Sequence, residues 1–325
     1  MTGTHQAVVA PRALGDAGPA VHPIGLGCMG MSWVYAPQER DEVAAIRTIR
    51  QALDLGLDLL DTADLYGPFS NERLLGRTLK GRRDRAVVAT KAGLAVDDAG
   101  SIHRDGSPAH LRASCEASLR RLGLDHVDLL HLHRVDPAVP LEETWGAMAE
   151  LVAEGKVRGI GLSEVSVAEI DLAHAIHPVA TVQNELSLWS REPLADVLPH
   201  CRTRGIGFVA CCPLGRGFLT GAFREPGDLP AGDGRRDYFP RFSAEAMRQN
   251  RALLDELDAV ARDAGHTPAQ LALAWVLAQD DAVVAIPGAR TRPHLTENAE
   301  AASVVLTADV RARLDALPPA VGGRY

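Results

Sequence analysis

The sequence predicts an α/β chain closed into a (β/α)8 TIM barrel, with a short N-terminal hairpin and extra helices towards the C-terminus. Three observations carry that prediction. Strand-like apolar runs alternate with amphipathic helical segments about eight times along the 325 residues, the rhythm of parallel strands joined by crossover helices. The runs are apolar throughout rather than alternating, as strands covered on both faces must be. Three successive runs end in a reactive side chain: Leu59-Leu60 in Asp61, Ala86 to Thr90 in Lys91, and Val127 to Leu132 in His133. Barrel enzymes keep their chemistry at that C-terminal rim.

Residues 1–11 read as a disordered lead, and residues 12–325 as one barrel domain. Arg12 to His22, turning at Gly15-Asp16-Ala17-Gly18, forms the hairpin, and Ile24 to Gly27 the first barrel strand. Val43, Ile46, Ile49 and Leu53 repeat at helical spacing and stop at Gly56, a C-terminal cap. The second strand ends at Asp61, and a helix from about Asn71 to Lys80 leads to the third. Ser107-Pro108 opens a helix that runs to Gly123, because a capping hydroxyl precedes a residue with φ already set. The fourth strand ends at His133. Pro140 opens a helix with Trp145 and Met148 turned to the barrel, closed by Gly155. Val157 to Leu162 is the fifth strand, and Ser166-x-x-Glu169 is a capping box for the next helix. Strands at Ala180 to Gln183 and Gly207 to Ala210 flank a helix around Pro193 to Arg204. Gly221 to Arg241 has no period and reads as a mobile flap over a site. Helices from Ser243 to Ala264 and after Thr267-Pro268-x-Gln270 carry the chain to the eighth strand, Val283 to Pro287. Two further helices end it. An open dinucleotide-binding sheet is disfavoured: Gly25-Leu26-Gly27-Cys28-Met29-Gly30 fits G-x-G-x-x-G literally, but no helix starts there.

Composition excludes several classes of function. A hydrophobic content of 46% is enough for one large core, and a net charge of -8 without a Lys/Arg stripe offers nothing to a nucleic-acid backbone. No apolar run approaches the roughly 20 residues of a membrane helix, and no secretory leader is visible. A soluble, cytoplasmic protein is expected. The 5 cysteines are odd in number and lack C-x-x-C spacing, so reduced thiols are expected and no metal site. Adjacent Cys211 and Cys212 read as small apolar fillers. Oligomeric state is left open.

The chemistry follows from the strand ends. A phenol near pKa 10 needs help to act as a proton donor at neutrality. Lys91 beside Tyr66 supplies it by stabilising phenolate, Asp61 keeps the lysine charged, and His133 steers a carbonyl oxygen towards the hydroxyl. His131 shares the face of His133, and is read as a hydrogen-bonded interior residue because His133 lies nearer the strand end. These four groups polarise and protonate a carbonyl but hold no electrons to give, so a hydride donor is required. Ser163 and Gln183 suit a nicotinamide carboxamide. Pro213-Leu214-Gly215-Arg216-Gly217 and Gly288-Ala289-Arg290-Thr291-Arg292 offer backbone N–H groups and cations where barrels bind phosphate. Arg290, Arg292 and His294 suit an additional phosphate, which favours NADP(H). Trp33, Tyr35 and Trp189 fall in loops after strands and either wall a substrate pocket or pack on the surface, and Arg134 is expected to pair with Asp136 or another loop carboxylate. Two rival classes remain: a Schiff-base enzyme with Lys91 as nucleophile, and a non-catalytic NADP(H)-binding redox-sensing module.

The chain resembles the aldo-keto reductases from Ile24 through Asn298. The resemblance rests on Gly25 to Gly30, Asp61-Thr62-Ala63-Asp64-Leu65-Tyr66-Gly67, Thr90-Lys91, His131-Leu132-His133-Arg134-Val135-Asp136-Pro137, Glu154 to Arg158, Gly161-Leu162-Ser163-Glu164 and Pro213-Leu214-Gly215. It implies a (β/α)8 barrel, NADPH as hydride source, a small-molecule carbonyl substrate, and Gly27, Met29, Cys211, Glu297 and Asn298 as further cofactor contacts. It also implies a tetrad of Tyr66 as acid, Lys91 as its tuner, Asp61 as the lysine's partner and His133 as the orienting group. Two positions depart from the pattern. Cys211 stands where the family commonly has an aromatic ring against the nicotinamide, and Leu132 where a glutamine often precedes the histidine.

Overall fold

The computed structural model describes residues 9–16, 18–97 and 99–325. Of the lead expected over residues 1–11, residues 1–8 lie outside the described residues. Among the described residues there are twelve strands: β1 (Arg12–Ala13), β2 (Ala20–Val21), β3 (Leu26–Gly27), β4 (Leu59–Asp61), β5 (Val87–Ala92), β6 (Leu94–Val96), β7 (Ile102–Arg104), β8 (Val127–Leu132), β9 (Val157–Ser163), β10 (Thr181–Glu185), β11 (Gly207–Cys211) and β12 (Val283–Ala285). Eight of them form one parallel sheet in the order β12-β11-β10-β9-β8-β5-β4-β3. The sheet closes on itself: Gly25 N–H donates to Ala285 O at 2.8 Å, Ala285 N–H to Pro23 O at 2.9 Å and Gly27 N–H to Pro287 O at 3.1 Å. The expected (β/α)8 barrel is therefore formed.

Two apolar layers follow from the strand alternation. The inner one contains Leu59, Ala89, Leu129, Val209 and Val284, plugged from below by Leu14 and Val21 of the β1–β2 hairpin. The outer one fills the space between barrel and helices; Trp145, Met148, Leu271 and Trp275 are buried there. The helices are α1 (Glu42–Asp54), α2 (Ser70–Leu79), α3 (Pro108–Leu122), α4 (Leu141–Ala153), α5 (Val167–Ile176), α6 (Val197–Thr203), α7 (Arg235–Tyr238), α8 (Ala244–Ala264), α9 (Pro268–Leu277), α10 (Arg292–Glu300) and α11 (Ala308–Asp315). Capping chemistry sets their starts. Ser107 caps α3, and both capping boxes form, Ser166 with Glu169 on α5 and Thr267 with Gln270 on α9. No helix among the described residues is long and apolar enough to cross a membrane.

The departures from expectation have local causes. The helix expected around Pro193 to Arg204 is split, because Asp196 caps a new start by accepting from Val197 N–H, leaving only a 3-10 turn over Glu192–Leu194. Strand β12 stops at Ala285, two residues early. An antiparallel hairpin, β6–β7, rises from the rim after β5 and had no signal in the sequence. The stretch expected as a structureless flap, residues 221–241, holds α7 and two 3-10 turns and buries Asp233, Arg235 and Arg241. Arg235 chelates Asp233 through Nε and Nη2, both at 2.8 Å, and Asp233 Oδ2 accepts from Ala36 N–H at 3.0 Å. Its lack of period reflects anchoring by ion pairs, which leave no hydrophobic pattern.

Candidate active site

Alternation places the rim chemistry. Leu59, Ala89, Leu129 and Val209 face the barrel axis, so the residues two further on do too: Asp61, Lys91, His131 and Cys211. Strand pairing then sets the levels. Lys91 lies in register with His131, and His133 follows β8 one level higher, its N–H donating to Ala92 O.

Lys91, 1% exposed, donates from Nζ to Asp61 Oδ1 at 2.6 Å and to Thr62 O at 2.8 Å. Burial opposes its charge, but Asp61 and then Tyr66 overcome it and hold the lysine above its ordinary pKa. The ammonium sits 5.1 Å from the centroid of the Tyr66 ring. Burial pushes the Tyr66 hydroxyl up to about 12, and Lys91 is the largest influence pulling it down. Lys91 thus acts in the expected direction and limits the rise that burial causes, while the group stays protonated at neutrality, as a proton donor must. His133 meets the Tyr66 ring edge-on at 5.9 Å. Burial, and next the Lys91 charge, push its pKa well below 6.5, so the imidazole is neutral, and its Nδ1 has no partner among the described residues. His131 is interior, as expected: it bonds Thr181 Oγ1 at 2.9 Å. Gly161 makes room for it, since a Cβ there would lie 2.6 Å from the His131 ring.

The other site candidates are distributed around this centre. Trp33 lies 5.7 Å from the Tyr66 ring, centroid to centroid. Tyr35 stands over Arg235 at 4.8 Å. Trp189 is not a pocket wall: it is 3% exposed, stacks on Phe218 at 4.2 Å, and packs edge-on against Phe242. Its ring supports the Pro213-Leu214-Gly215 turn from beneath, and a Cβ on Gly215 would meet it at 2.8 Å. Gln183 is partly committed: its Nε2 donates to Asp61 Oδ2 at 2.8 Å, leaving the amide oxygen and the second Nε2 hydrogen for a ligand. Ser163 Oγ accepts from Arg134 Nη1 at 3.2 Å and keeps its own proton to give.

Cys211 is half-buried at the end of β11, and Cys212 turns out of the strand with φ 49°. After Pro213 and Leu214, Gly215, Arg216 and Gly217 are again left-handed at φ 55°, 56° and 94°, which curls the backbone into the kind of concavity that accepts anions. Gly27 approaches Gly288 across the barrel closure, with Met29 in the turn that follows. Arg290 donates from Nη2 to Glu39 Oε2 at 2.9 Å, while its buried Nη1 has no partner among the described residues. Arg40 stands close enough that burial, and next the Arg290 charge, lower its guanidinium pKa. Two cations that repel one another fit an anion between them. Arg292 bonds Gln51, His294 is exposed, and Glu297 and buried Asn298 follow on α10.

The sequence reading missed one cluster at the rim, beside His133. Arg134 bonds no carboxylate among the described residues, contrary to the expected pairing with Asp136 or another loop carboxylate. It donates to His133 O at 2.6 Å, Ser163 Oγ and the Tyr325 hydroxyl at 3.3 Å. Arg216 reaches the same hydroxyl at 3.3 Å, with Glu185 Oε2 at 3.2 Å and the Phe239 ring beneath it. These residues come from six distant segments, and only the sequence adjacency of Arg134 to His133 pointed here.

A family model described as the aldo/keto reductase family matches residues 23–318. Among solved structures, the chain is similar to a glycerol dehydrogenase from Gluconobacter oxydans at 30% identity, covering 96% of this chain and 95% of that one with a TM-score of 0.84. An aldo/keto reductase from Klebsiella pneumoniae, solved with NADP and acetate, matches at 31% identity over 97% and 99% of the two chains, with a TM-score of 0.75. The holo form of an aldo-keto reductase from Bacillus halodurans matches at 30% identity over 98% of each, with a TM-score of 0.76. With the family model spanning nearly the whole barrel, the chain belongs to the aldo/keto reductase family.

Proposed function

We propose that this chain is an NADPH-dependent oxidoreductase that reduces aldehyde or ketone carbonyls to alcohols. The observation that carries the reading is the convergence of Asp61, Lys91, Tyr66 and His133 at one mouth of the barrel, with the 2.6 Å Lys91–Asp61 pair beside the Tyr66 ring. NADPH, when bound, supplies the hydride that becomes the new C–H bond. Tyr66 gives its hydroxyl proton to the carbonyl oxygen as negative charge gathers there. The Lys91 ammonium, kept charged by Asp61, stabilises the phenolate left behind. Neutral His133, edge-on to the Tyr66 ring, has one ring N–H to donate to the carbonyl oxygen and fix it there. Structures of relatives solved with NADP or NADPH support the choice of cofactor.

The residues present fit NADP(H). Gly27, Met29 and Gly288 flank the barrel seam on which the cofactor would lie. Ser163 and the Gln183 amide oxygen would hold the carboxamide, with Cys211 against the ring. Pro213, Leu214, Gly215 and Gly217 would receive the central phosphates. Arg290 with its orphaned Nη1, His294, Glu297 and Asn298 would hold the adenosine end, where the N-terminus of α10 adds a favourable dipole. The Schiff-base reading is disfavoured because an amine held charged by Asp61 is not a nucleophile.

The test is Tyr66→Phe. Carbonyl-dependent consumption of NADPH should fall by at least about 100-fold, the scale of lost acid catalysis, with NADPH binding retained. A variant that turns over like the native chain refutes the acid assignment. Tight NADP(H) binding without turnover across a broad carbonyl panel would instead support the redox-sensing module.

A further inference from the structure

Arg134 immediately follows His133, and its guanidinium folds back across the strand end, bonding only neutral oxygens: His133 O, Ser163 Oγ and Tyr325 Oη. No carboxylate among the described residues lies within ion-pair distance of it. This is unusual for a half-buried arginine, which ordinarily finds a carboxylate. Arg216 comes from the opposite side of the rim, and the Tyr325 hydroxyl is 3.3 Å from a guanidinium nitrogen of each. One neutral oxygen thus marks the point at which two cations converge. Both contacts are long for hydrogen bonds to an oxygen, whereas a carboxylate oxygen at that point would receive two charge-assisted bonds at shorter range.

The ion pairs of the cluster set the kind of ligand. Arg216 is paired with Glu185 and Arg324 with Glu164 at 2.9 Å. Arg134 is left over, the one guanidinium of the three without a carboxylate partner among the described residues, and a ligand carboxylate is the partner it lacks. The position of Arg134 beside His133 puts its charge next to where a substrate carbonyl would be held. We propose that Arg134, backed by Arg216, forms an anion-recognising wall of the substrate pocket, and that the substrates are aldehydes or ketones carrying a carboxylate. This rests on the carbonyl reductase reading and narrows it. Tyr325 Oη holds the place of the carboxylate oxygen, and the segment carrying it, tied down by Arg241 to Gly322 O and by Asn250 to Val321, covers the wall.

The experiment compares 4-carboxybenzaldehyde with benzaldehyde on the full chain with NADPH, in the native protein, Arg134→Gln and Arg134→Lys. The ratio of the two kcat/KM values is the readout, because the fraction of correctly folded protein cancels. It should favour the carboxylate at least about tenfold in the native chain, collapse towards one in Arg134→Gln and recover in part in Arg134→Lys. An arginine that merely braces His133 or Ser163 would slow both aldehydes alike and leave the ratio unmoved, overturning the proposal. A native ratio near one overturns it too, while leaving the reductase reading standing. Calorimetric titration with benzoate and benzamide separates the two claims. Benzoate binding that is lost in Arg134→Gln, without reduction of either aldehyde, would keep the anion wall and remove the reductase reading. Faster reduction of 4-formylphenyl phosphate than of 4-carboxybenzaldehyde would overturn the carboxylate assignment.

Discussion

Replacing Lys91 by Met should separate what the buried ion pair does for stability from what it does for chemistry. At 2.6 Å, the pair's Coulomb attraction at an effective dielectric of 20 is roughly 6 kcal/mol, most of it offset by the cost of burying both charges. Removing one partner is a different matter. Asp61 would stay 3% exposed with Gln183 Nε2 as its remaining side-chain donor, and an uncompensated buried charge costs about 3–5 kcal/mol. The double variant Lys91→Met with Asp61→Asn removes both charges, keeps an acceptor for Gln183, and should recover at least about 2 kcal/mol of that loss. Activity should not recover, because Tyr66 loses the cation that limits its pKa. Urea unfolding followed by the fluorescence of the 4 tryptophans gives the stabilities, and NADPH consumption gives the rates. The pH dependence is a second check. Since the folded pKa of Lys91 is raised, its contribution is fully present below the unfolded value of about 10.4 and is lost only as pH rises through the folded value. The cost of Lys91→Met should therefore be level from about pH 6 to 9. A single-variant cost below about 1 kcal/mol, or a double variant no more stable than the single, would refute the reasoning.

Asp64 gives a pH signature of opposite consequence. It is 3% exposed, and burial, with Glu72 next, pushes its pKa up to about 7. The unfolded value is about 3.9, so the folded chain binds the extra proton between the two; that stability is present below about pH 4 and is lost as pH rises through about 7, by at most on the order of 4 kcal/mol. Asp64→Asn should gain stability at pH 8 relative to pH 5 in urea titrations, and an equal shift at both would exclude the effect. Arg290→Ala removes the orphaned Nη1 beside Arg40. A lost charge-assisted bond of about 1.5–3 kcal/mol should weaken NADPH binding by roughly 10- to 100-fold and leave NADH much less affected; equal weakening of both would place the additional phosphate elsewhere.

What was legible in the sequence had a period or a local rule behind it. Apolar runs gave the eight barrel strands, capping hydroxyls at Ser107, Ser166 and Thr267 gave helix starts to within a residue, and two-residue alternation put Asp61, Lys91 and His131 on the barrel axis. Contacts between distant segments have no such signature. Nothing near Gln183 announces that it reaches Asp61 across the barrel, 122 residues away in sequence, and nothing near Trp189 shows that Phe218 and Phe242 will enclose it. Arg134 shows the limit most clearly. Beside Asp136 in sequence, it invites an ion pair, yet Asp136 is already committed to Gly106 N–H and Ala138 N–H. That commitment exists only once the β6–β7 hairpin has brought Gly106 over the rim. The guanidinium is thereby released towards Ser163 and Tyr325, so the charge available to a ligand is decided by which carboxylates the fold has already used.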